Sequence, residues 1–264
     1  MMTGGLLVVT GLKRSFGGVH AVDGVSFQVE RGSITGLIGP NGAGKSTALG
    51  AIAGALRSDA GSIEFDGEGI TRLPPMKRAR RGLIRTFQTS SEFERLTVLE
   101  NLLVGDMHHP GETLFGAVIR GGRSWRSHEL ALVNRARELL ERFEMADKED
   151  EWAGNLSGGQ KRLLEFGRIR MAEPRLVILD EPMGGVNPVL GERMAAAVLG
   201  FVSAGTSVVI VEHNLPFIER VTDVVVVMAE GRVIAEAPFE QLRGNQAVVD
   251  AYLGEMPTYD DADN

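Results

Sequence analysis

Three stretches of this chain put reactive residue types at spacings suited to phosphate chemistry. Gly39-Pro40-Asn41-Gly42-Ala43-Gly44-Lys45-Ser46-Thr47 fits G-x-x-x-x-G-K-[ST], a loop whose successive backbone N–H groups converge on one anionic site. Glycine lets that backbone approach phosphate without a Cβ in the way. Lys45 would sit on the β- and γ-phosphates of a nucleotide, and the Ser46 hydroxyl would ligate Mg²⁺. The second stretch, Leu176-Val177-Ile178-Leu179-Asp180-Glu181, closes an apolar run with two carboxylates. Asp180 can hold Mg²⁺, directly or through water, and Glu181 is placed to accept a proton from an attacking water. The third stretch is Leu156-Ser157-Gly158-Gly159-Gln160. Ser157 is a good N-cap and the two glycines leave the backbone bare, so this helix start is a second anion-binding site. One nucleotide cannot readily use two such sites carried by different parts of one chain. The pattern therefore predicts a head-to-tail pair, with the 156–160 string of one copy closing over the nucleotide in its partner's phosphate loop.

Each stretch needs an element to aim it. Ile34-Thr35-Gly36-Leu37-Ile38 reads as a short buried strand before the phosphate loop, and Ala48 to Leu56 as a small-residue helix after it. Leu176 to Asp180 and Ser207 to Val211 read as buried parallel-type strands, with a helix over Gly191 to Val202 between them. This delivers Asp180 at the carboxyl end of a strand, where doubly wound sheets hold ligands. Gln160 opens a helix running through Leu163-Leu164, Gly167 and Met171. Leu6 to Val9 and the alternating Val25 to Val29 read as half-buried strands, with Leu12 to Gly18 lying between them. Phe16, in that connection, is a candidate to stack on an adenine ring. Ala60 to Gly67 reads as a further strand, and Val224 to Met228, Glu230-Gly231 and Val233 to Ala235 as a hairpin.

Between about 95 and 150 the texture turns helical. Thr97 is placed as an N-cap before apolar residues at helical spacing, and Glu129 to Met145 carries an amphipathic stripe. The basic run Met76 to Arg81 reads as a solvated helix face. His108-His109 has no third histidine or carboxylate at ligand spacing and reads as a loop. Composition narrows the function classes. The 264 residues are 43% hydrophobic and 24% charged, enough for a large core. A net charge of −7 argues against nucleic acid as the main ligand. The absence of cysteine excludes disulfides and thiolate metal sites. No signal peptide is visible at Met1 to Thr10, and no apolar run approaches the ~18 residues of a membrane span. Work at a membrane would need another chain to bring this one there.

Together these residues resemble the nucleotide-binding subunit of an ATP-binding cassette (ABC) transporter. Leu156 to Gln160 matches that family's signature letter for letter, and the likeness runs from about Leu6 to about Gly254. The resemblance implies an α/β fold: a P-loop NTPase (RecA-like) core with an antiparallel β subdomain and an inserted α-helical subdomain at about 89–165. It implies one domain over 1–254, followed by an acidic tail, 255–264, expected to be disordered. By the same resemblance Phe16 stacks on adenine, while residues Gly39 to Thr47 and Ser157 to Gln160 bind ATP. Gln88 senses Mg²⁺ and water and links the core to the helical insert, Glu181 is the catalytic base, and His213 is the switch histidine on the γ-phosphate. Implied partners are transmembrane permease subunits and a second ATPase subunit, identical or homologous, at the cytoplasmic face of a bacterial membrane.

The chain departs from the family at Asn187, where most members carry Asp in a loop crossing the dimer interface. An amide there can hydrogen-bond but has no charge. Pro182-Met183-Gly184-Gly185-Val186-Asn187-Pro188, the long 104–128 segment and the ending Ala247 to Gly254 are similar to the subgroup serving branched-chain amino-acid import. Lipopolysaccharide-export ATPases share the motifs but usually lack the longer insert. A soluble ABC ATPase of DNA repair or translation is the second alternative, disfavoured by the single cassette and the acidic charge. A P-loop GTPase is the third, and the chain has no Asn-Lys-x-Asp string to read guanine.

Overall fold

The computed structural model describes residues 5–86, 92–106, 123–184 and 188–253. Strands β1 (Leu7–Phe16) and β2 (Val19–Val29) form a long antiparallel hairpin. Apolar alternation marks only Leu6 to Val9 and Val25 to Val29 as strand, yet the ladder continues to Phe16 and Val19. Register shifts between Val9 and Leu12 and between Arg14 and Ser15 break the alternation that would have revealed it. Gly17 and Gly18, at φ of 52° and 90°, make the tight turn that an L side chain would resist.

After the short buried strand β3 (Ile34–Ile38), helix α1 (Lys45–Ala53) starts directly from the glycine loop. Strands β4 (Ala60–Phe65) and β5 (Glu68–Gly69) complete a sheet in the order β2-β1-β4-β5. Helix α2 (Pro75–Ala79) carries the basic run, which is not uniformly solvated: Arg78 is only 2% exposed. Its guanidinium donates to the carbonyls of Ala51, Ile52, Leu73 and Thr71. Two of these, Ala51 and Ile52, lie in the last turn of α1, so the cation sits at that helix's negative pole. Burial lowers the guanidinium to about 10, which still leaves it charged at neutral pH.

Strand β6 (Leu83–Arg85) leads to the helical part, built from α3 (Val98–Leu103), α4 (Arg123–Arg142) and α5 (Gly158–Met171). Thr97 caps α3 in a reciprocal box with Glu100, and Ser157 caps α5 in the same way with Gln160. Asn101, buried, holds the incoming chain by donating to the carbonyls of Phe93, Leu96 and Thr97. Helices α3 and α5 meet closely at Gly167, where a Cβ would lie 2.5 Å from Leu102 Cδ2.

The chain then alternates strand and helix: β7 (Leu176–Asp180), α6 (Pro188–Ser203), β8 (Ser207–Val211), α7 (Leu215–Val221), β9 (Val224–Ala229), β10 (Arg232–Ala237), α8 (Phe239–Leu242) and α9 (Gln246–Leu253). The main sheet runs β10-β9-β3-β8-β7-β6, parallel except for the terminal hairpin. Its inner strands β3, β7, β8 and β9 are buried on both faces, and successive residues enter different cores. Ile38, Val177, Leu179, Val208, Ile210, Val225 and Val227 pack with α5, α6 and the helical part. Leu37, Leu176, Ile178, Val209, Val211 and Val226 pack with α1 and the antiparallel sheet. Among the described residues, no helix is long and apolar enough to cross a membrane.

Candidate active site

Parallel register sets the site. Leu37 and Asp180 both pair with Val211, so the carboxyl ends of β3, β7 and β8 lie side by side, about 5 Å apart per strand. From these three ends leave the phosphate loop, the Asp180-Glu181 pair and the Val211-Glu212-His213 turn. The loop is pressed against backbone behind it. Gly39 has φ 147°, and a Cβ there would lie 2.0 Å from the Met228 carbonyl oxygen. Gly44, the N-cap of α1, has φ 94°, and its Cβ would lie 2.1 Å from the Ala21 carbonyl oxygen. Pro40, Asn41, Gly42 and Ala43 arch between them, with Gly42 also at positive φ and the loop closed by the Ala43 N–H on the Pro40 carbonyl at 3.2 Å. Lys45 is buried, and its Nζ donates to the Gly39 and Pro40 carbonyls at 2.6 and 2.7 Å. Ser46 is exposed and Thr47 half-buried at the start of α1.

Phe16 belongs to the same neighbourhood. It pairs with Val19 at the hairpin tip, two residues from the Ala21 that backs Gly44. Its ring is 44% exposed and carries the Arg14 guanidinium 4.6 Å from its centroid. One face of a partly exposed aromatic is thus stacked on a cation, which leaves the ring suited to a second planar group.

Asp180 is buried at the end of β7. Its Oδ2 accepts from Arg85 Nη2 at 2.7 Å, and its N–H donates to Thr86 Oγ1 at 3.1 Å. Its Oδ1 is buried without a hydrogen-bond partner. A carboxylate oxygen left unsatisfied in the interior suits a hard cation, so the donor set of Asp180 and the Ser46 hydroxyl fits Mg²⁺. No cluster of three or more His, Asp or Glu among the described residues converges as a metal site. A Mg²⁺ that takes one or two protein ligands and completes its shell with phosphates and water needs none. Gln88 and Asn187 lie outside the described residues, as do His108-His109 and the 255–264 tail.

Glu181 leaves the sheet at φ 48° in a turn closed by the Gly184 N–H on its carbonyl, at 3.1 Å. Its Oε1 lies 3.3 Å from His213 Nε2, so a carboxylate and an imidazole meet in contact with solvent. Two buried ions hold the backbone around this pair. Arg162, on α5, donates from Nη2 to the carbonyls of Asp180 and Glu181 at 3.2 and 3.1 Å, and from Nη1 to Glu165 at 2.8 Å. Glu212 accepts from the Met183, His213 and Asn214 N–H groups at 2.5, 3.1 and 3.4 Å. Burial pushes the Glu212 carboxyl above its ordinary 4.5, and the three N–H donors pull it back.

Sequence reasoning passed over Arg85, Thr86, Arg162, Glu165 and Glu212. The signal for one pair was present. Arg162, Glu165 and Ile169 share a stripe at i, i+3, i+7 on a helix whose other stripe members are apolar, so two opposite charges stood where core residues belong.

The Ser157–Gln160 turn is not brought onto the phosphate loop. Its helix, α5, packs on the sheet face opposite to α1. Ser157 and Gly158 are exposed, and Gly159 packs so closely on Leu190 that a Cβ would lie 1.8 Å from its Cδ2. Residues 22–184 match the ABC transporter family. The chain belongs to that family. Among its relatives are a probable branched-chain amino acid transport ATP-binding protein of Archaeoglobus fulgidus, 42% identical over 94% of this chain and 95% of that one. A high-affinity branched-chain amino acid transport ATP-binding protein of Pseudomonas aeruginosa is 36% identical over 95% and 98% of the two chains. An Escherichia coli protein of the same description is 34% identical over the same shares. The crystal structure of the ADP conformation of an ATP-binding cassette superposes with a TM-score of 0.79 at 35% identity, covering 95% of this cassette and 99% of that chain. A nucleotide-free cassette superposes at 0.78 with 36% identity over the same shares. This cassette is therefore a nucleotide-binding subunit of the family, and its α/β fold is that of a P-loop NTPase.

Proposed function

We propose that this chain binds and hydrolyses ATP as one of a head-to-tail pair of cassettes and so powers the import of branched-chain amino acids through separate transmembrane subunits. One observation carries the reading. The phosphate loop, Asp180, Glu181 and His213 share one end of the sheet, whereas the signature turn starts a helix on the sheet's other face. A nucleotide in this chain's loop is thus gripped on one side only, and the natural cap is the Ser157–Gln160 turn of a second cassette, identical or homologous. The relatives named above, at 34–42% identity, carry branched-chain amino acid transport in their descriptions, which supports that substrate class over lipopolysaccharide export or a soluble ABC ATPase.

The placement of the described residues supports the following roles. Phe16 takes adenine on its open face. The loop from Gly39 to Thr47 offers its N–H groups and Lys45 to the phosphates, with Lys45 Nζ exchanging two carbonyls for phosphate oxygen. Ser46 and Asp180 would hold Mg²⁺, with Gln88 as the family resemblance implies, and the ion would supply charge neutralisation on the phosphate oxygens. Glu181 accepts the proton of the attacking water, and His213, in contact with Glu181, orients it and meets the γ-phosphate. Ser157, Gly158, Gly159 and Gln160 cap the partner's nucleotide with a helix N-terminus. The cassette is one domain over 1–254 with a helical subdomain at about 89–165, peripheral at the cytoplasmic face of the membrane beside its permease subunits.

Glu181→Gln is the test. It keeps ATP affinity and lowers turnover by about 10²–10⁴, the range for a lost general base, and at saturating MgATP the variant accumulates as a dimer. Near-normal turnover would remove Glu181 from its role. A trapped variant that stays monomeric with its permease present would remove the pair.

A further inference from the structure

We propose that Glu212 is a positioning residue that locks the Glu181 turn to the His213 turn, so that the two reactive side chains are held as one unit. The inference rests on the hydrolytic reading above and adds a residue to it. Glu212 is buried at the end of β8, and its two carboxylate oxygens divide between the two turns. Oε1 accepts the Met183 N–H at 2.5 Å, in the turn that carries Glu181. Oε2 accepts the His213 and Asn214 N–H groups at 3.1 and 3.4 Å, in the turn that opens α7.

Geometry makes this more than the satisfaction of stray donors. Glu181 and His213 touch side chain to side chain at 3.3 Å, but both are substantially exposed, so that contact alone cannot fix their separation. Beneath them the Glu181 N–H donates to the Val211 carbonyl at 2.9 Å, which ties the first turn to the strand but not to the second turn. Asn214 caps α7 by accepting from Phe217 N–H, which orders the second turn within itself. The Glu212 carboxylate joins the peptide groups of both turns. A carboxylate is needed because three N–H donors approach from two sides. A glutamine has one acceptor oxygen and an NH₂ that would face a donor. An aspartate reaches one turn and not the other.

The experiment uses the full chain with its permease subunits. Glu212→Gln is expected to lower kcat about tenfold or more while the ATP Kd moves less than about twofold, since the phosphate loop is untouched. In the Glu181→Gln background the same change is expected to cost less than about twofold, because Glu212 acts through Glu181. Glu212→Asp is expected to show the same split, with kcat down about fivefold. Unchanged kcat in Glu212→Gln overturns the proposal. So does a parallel loss of kcat and ATP affinity, which marks a merely structural group, or a full tenfold loss in the Glu181→Gln background. Should neither variant fold, amide exchange of the wild type decides: protected Met183 and His213 amides support the lock, and exchange at the rate of open peptide overturns it. A wild type with no ATPase activity, or one indifferent to Glu181→Gln, would instead refute the reading of the site itself.

Discussion

Replacing Arg162 by Met removes a buried cation and keeps the shape of its stem. The guanidinium sits between Glu165 and the carbonyls of Asp180 and Glu181, and both members of the ion pair have side chains only 8% exposed. Burial already raises the Glu165 carboxyl above its ordinary 4.5, with Arg162 the main influence holding it down. Without Arg162, a carboxylate is left in the interior and two carbonyls lose a donor. Breaking one side of a buried pair costs about 3–5 kcal/mol. Arg168 also draws the Glu165 carboxyl down, so the lower end, ~3 kcal/mol, is the expected loss. For a chain of this size that is a fall of roughly 6–12 °C in Tm.

The sign of its pH dependence is fixed. In the variant the folded-state value of Glu165 rises further above the unfolded 4.5, so the folded chain binds the extra proton. Stability is then fully present below about 4.5 and is lost as pH rises through the folded value. Thermal melts of wild type and Arg162→Met at pH 5 and pH 8 read this directly. The deficit is larger at pH 8, and adding Glu165→Gln recovers more than half of it by making the group neutral. A Tm within about 2 °C of wild type at pH 8, or a deficit that neither pH nor Glu165→Gln changes, would refute the account.

Two further outcomes are expected. Gly39→Ala sets a Cβ against the Met228 carbonyl at a φ that L residues avoid, so the loop must move. A displacement of ~1 Å lowers ATP turnover by about 10², read in a steady-state assay. Asp23 is held down to about 2 by hydrogen bonds from Lys13 and Arg232, joining the antiparallel hairpin to the β9-β10 hairpin. A lowered carboxyl contributes stability above its ordinary 3.8 that is lost as pH falls from there towards 2, so Asp23→Asn flattens the acid limb of a Tm–pH profile. An unaltered acid limb would show that the pair contributes nothing.

What was legible in the sequence is what depends on one element at a time. Leu176 to Asp180 and Ser207 to Val211 are recognisable because a strand buried on both faces must be apolar throughout. The N-caps Thr97 and Ser157 could be placed because a capping residue directly precedes its helix on one chain. The β1–β2 ladder was underestimated because its register shifts destroy the period that reveals a strand. Arg78 was misjudged for a different reason. A run of four cations looks solvated whichever of them turns inward, and two of the four carbonyls that receive Arg78 belong to a helix that starts over thirty residues earlier. Glu212 was hidden likewise, since its Met183 partner is 29 residues away.

The groups that hold the hydrolytic turn also constrain how two nucleotide sites would communicate. Arg162 lies five residues into the segment that begins at Ser157, about 7.5 Å along the helix axis. The same helix therefore has its N-terminus exposed at Ser157 and Gly158 and turns its fifth residue inward to the carbonyls of this chain's Asp180 and Glu181. Glu212 holds the far side of that turn and fastens it to His213. In the head-to-tail pair proposed above, a shift of α5 when the partner's ATP is capped would reach Glu181, the proposed general base, through one guanidinium. No loop need refold on the way. Because a packed helix moves as a body, the signal should be steep, with the two sites hydrolysing cooperatively. Arg162→Lys, which keeps the charge but not the paired donors to the two carbonyls, should then lower the Hill coefficient for ATP more than it lowers ATP affinity.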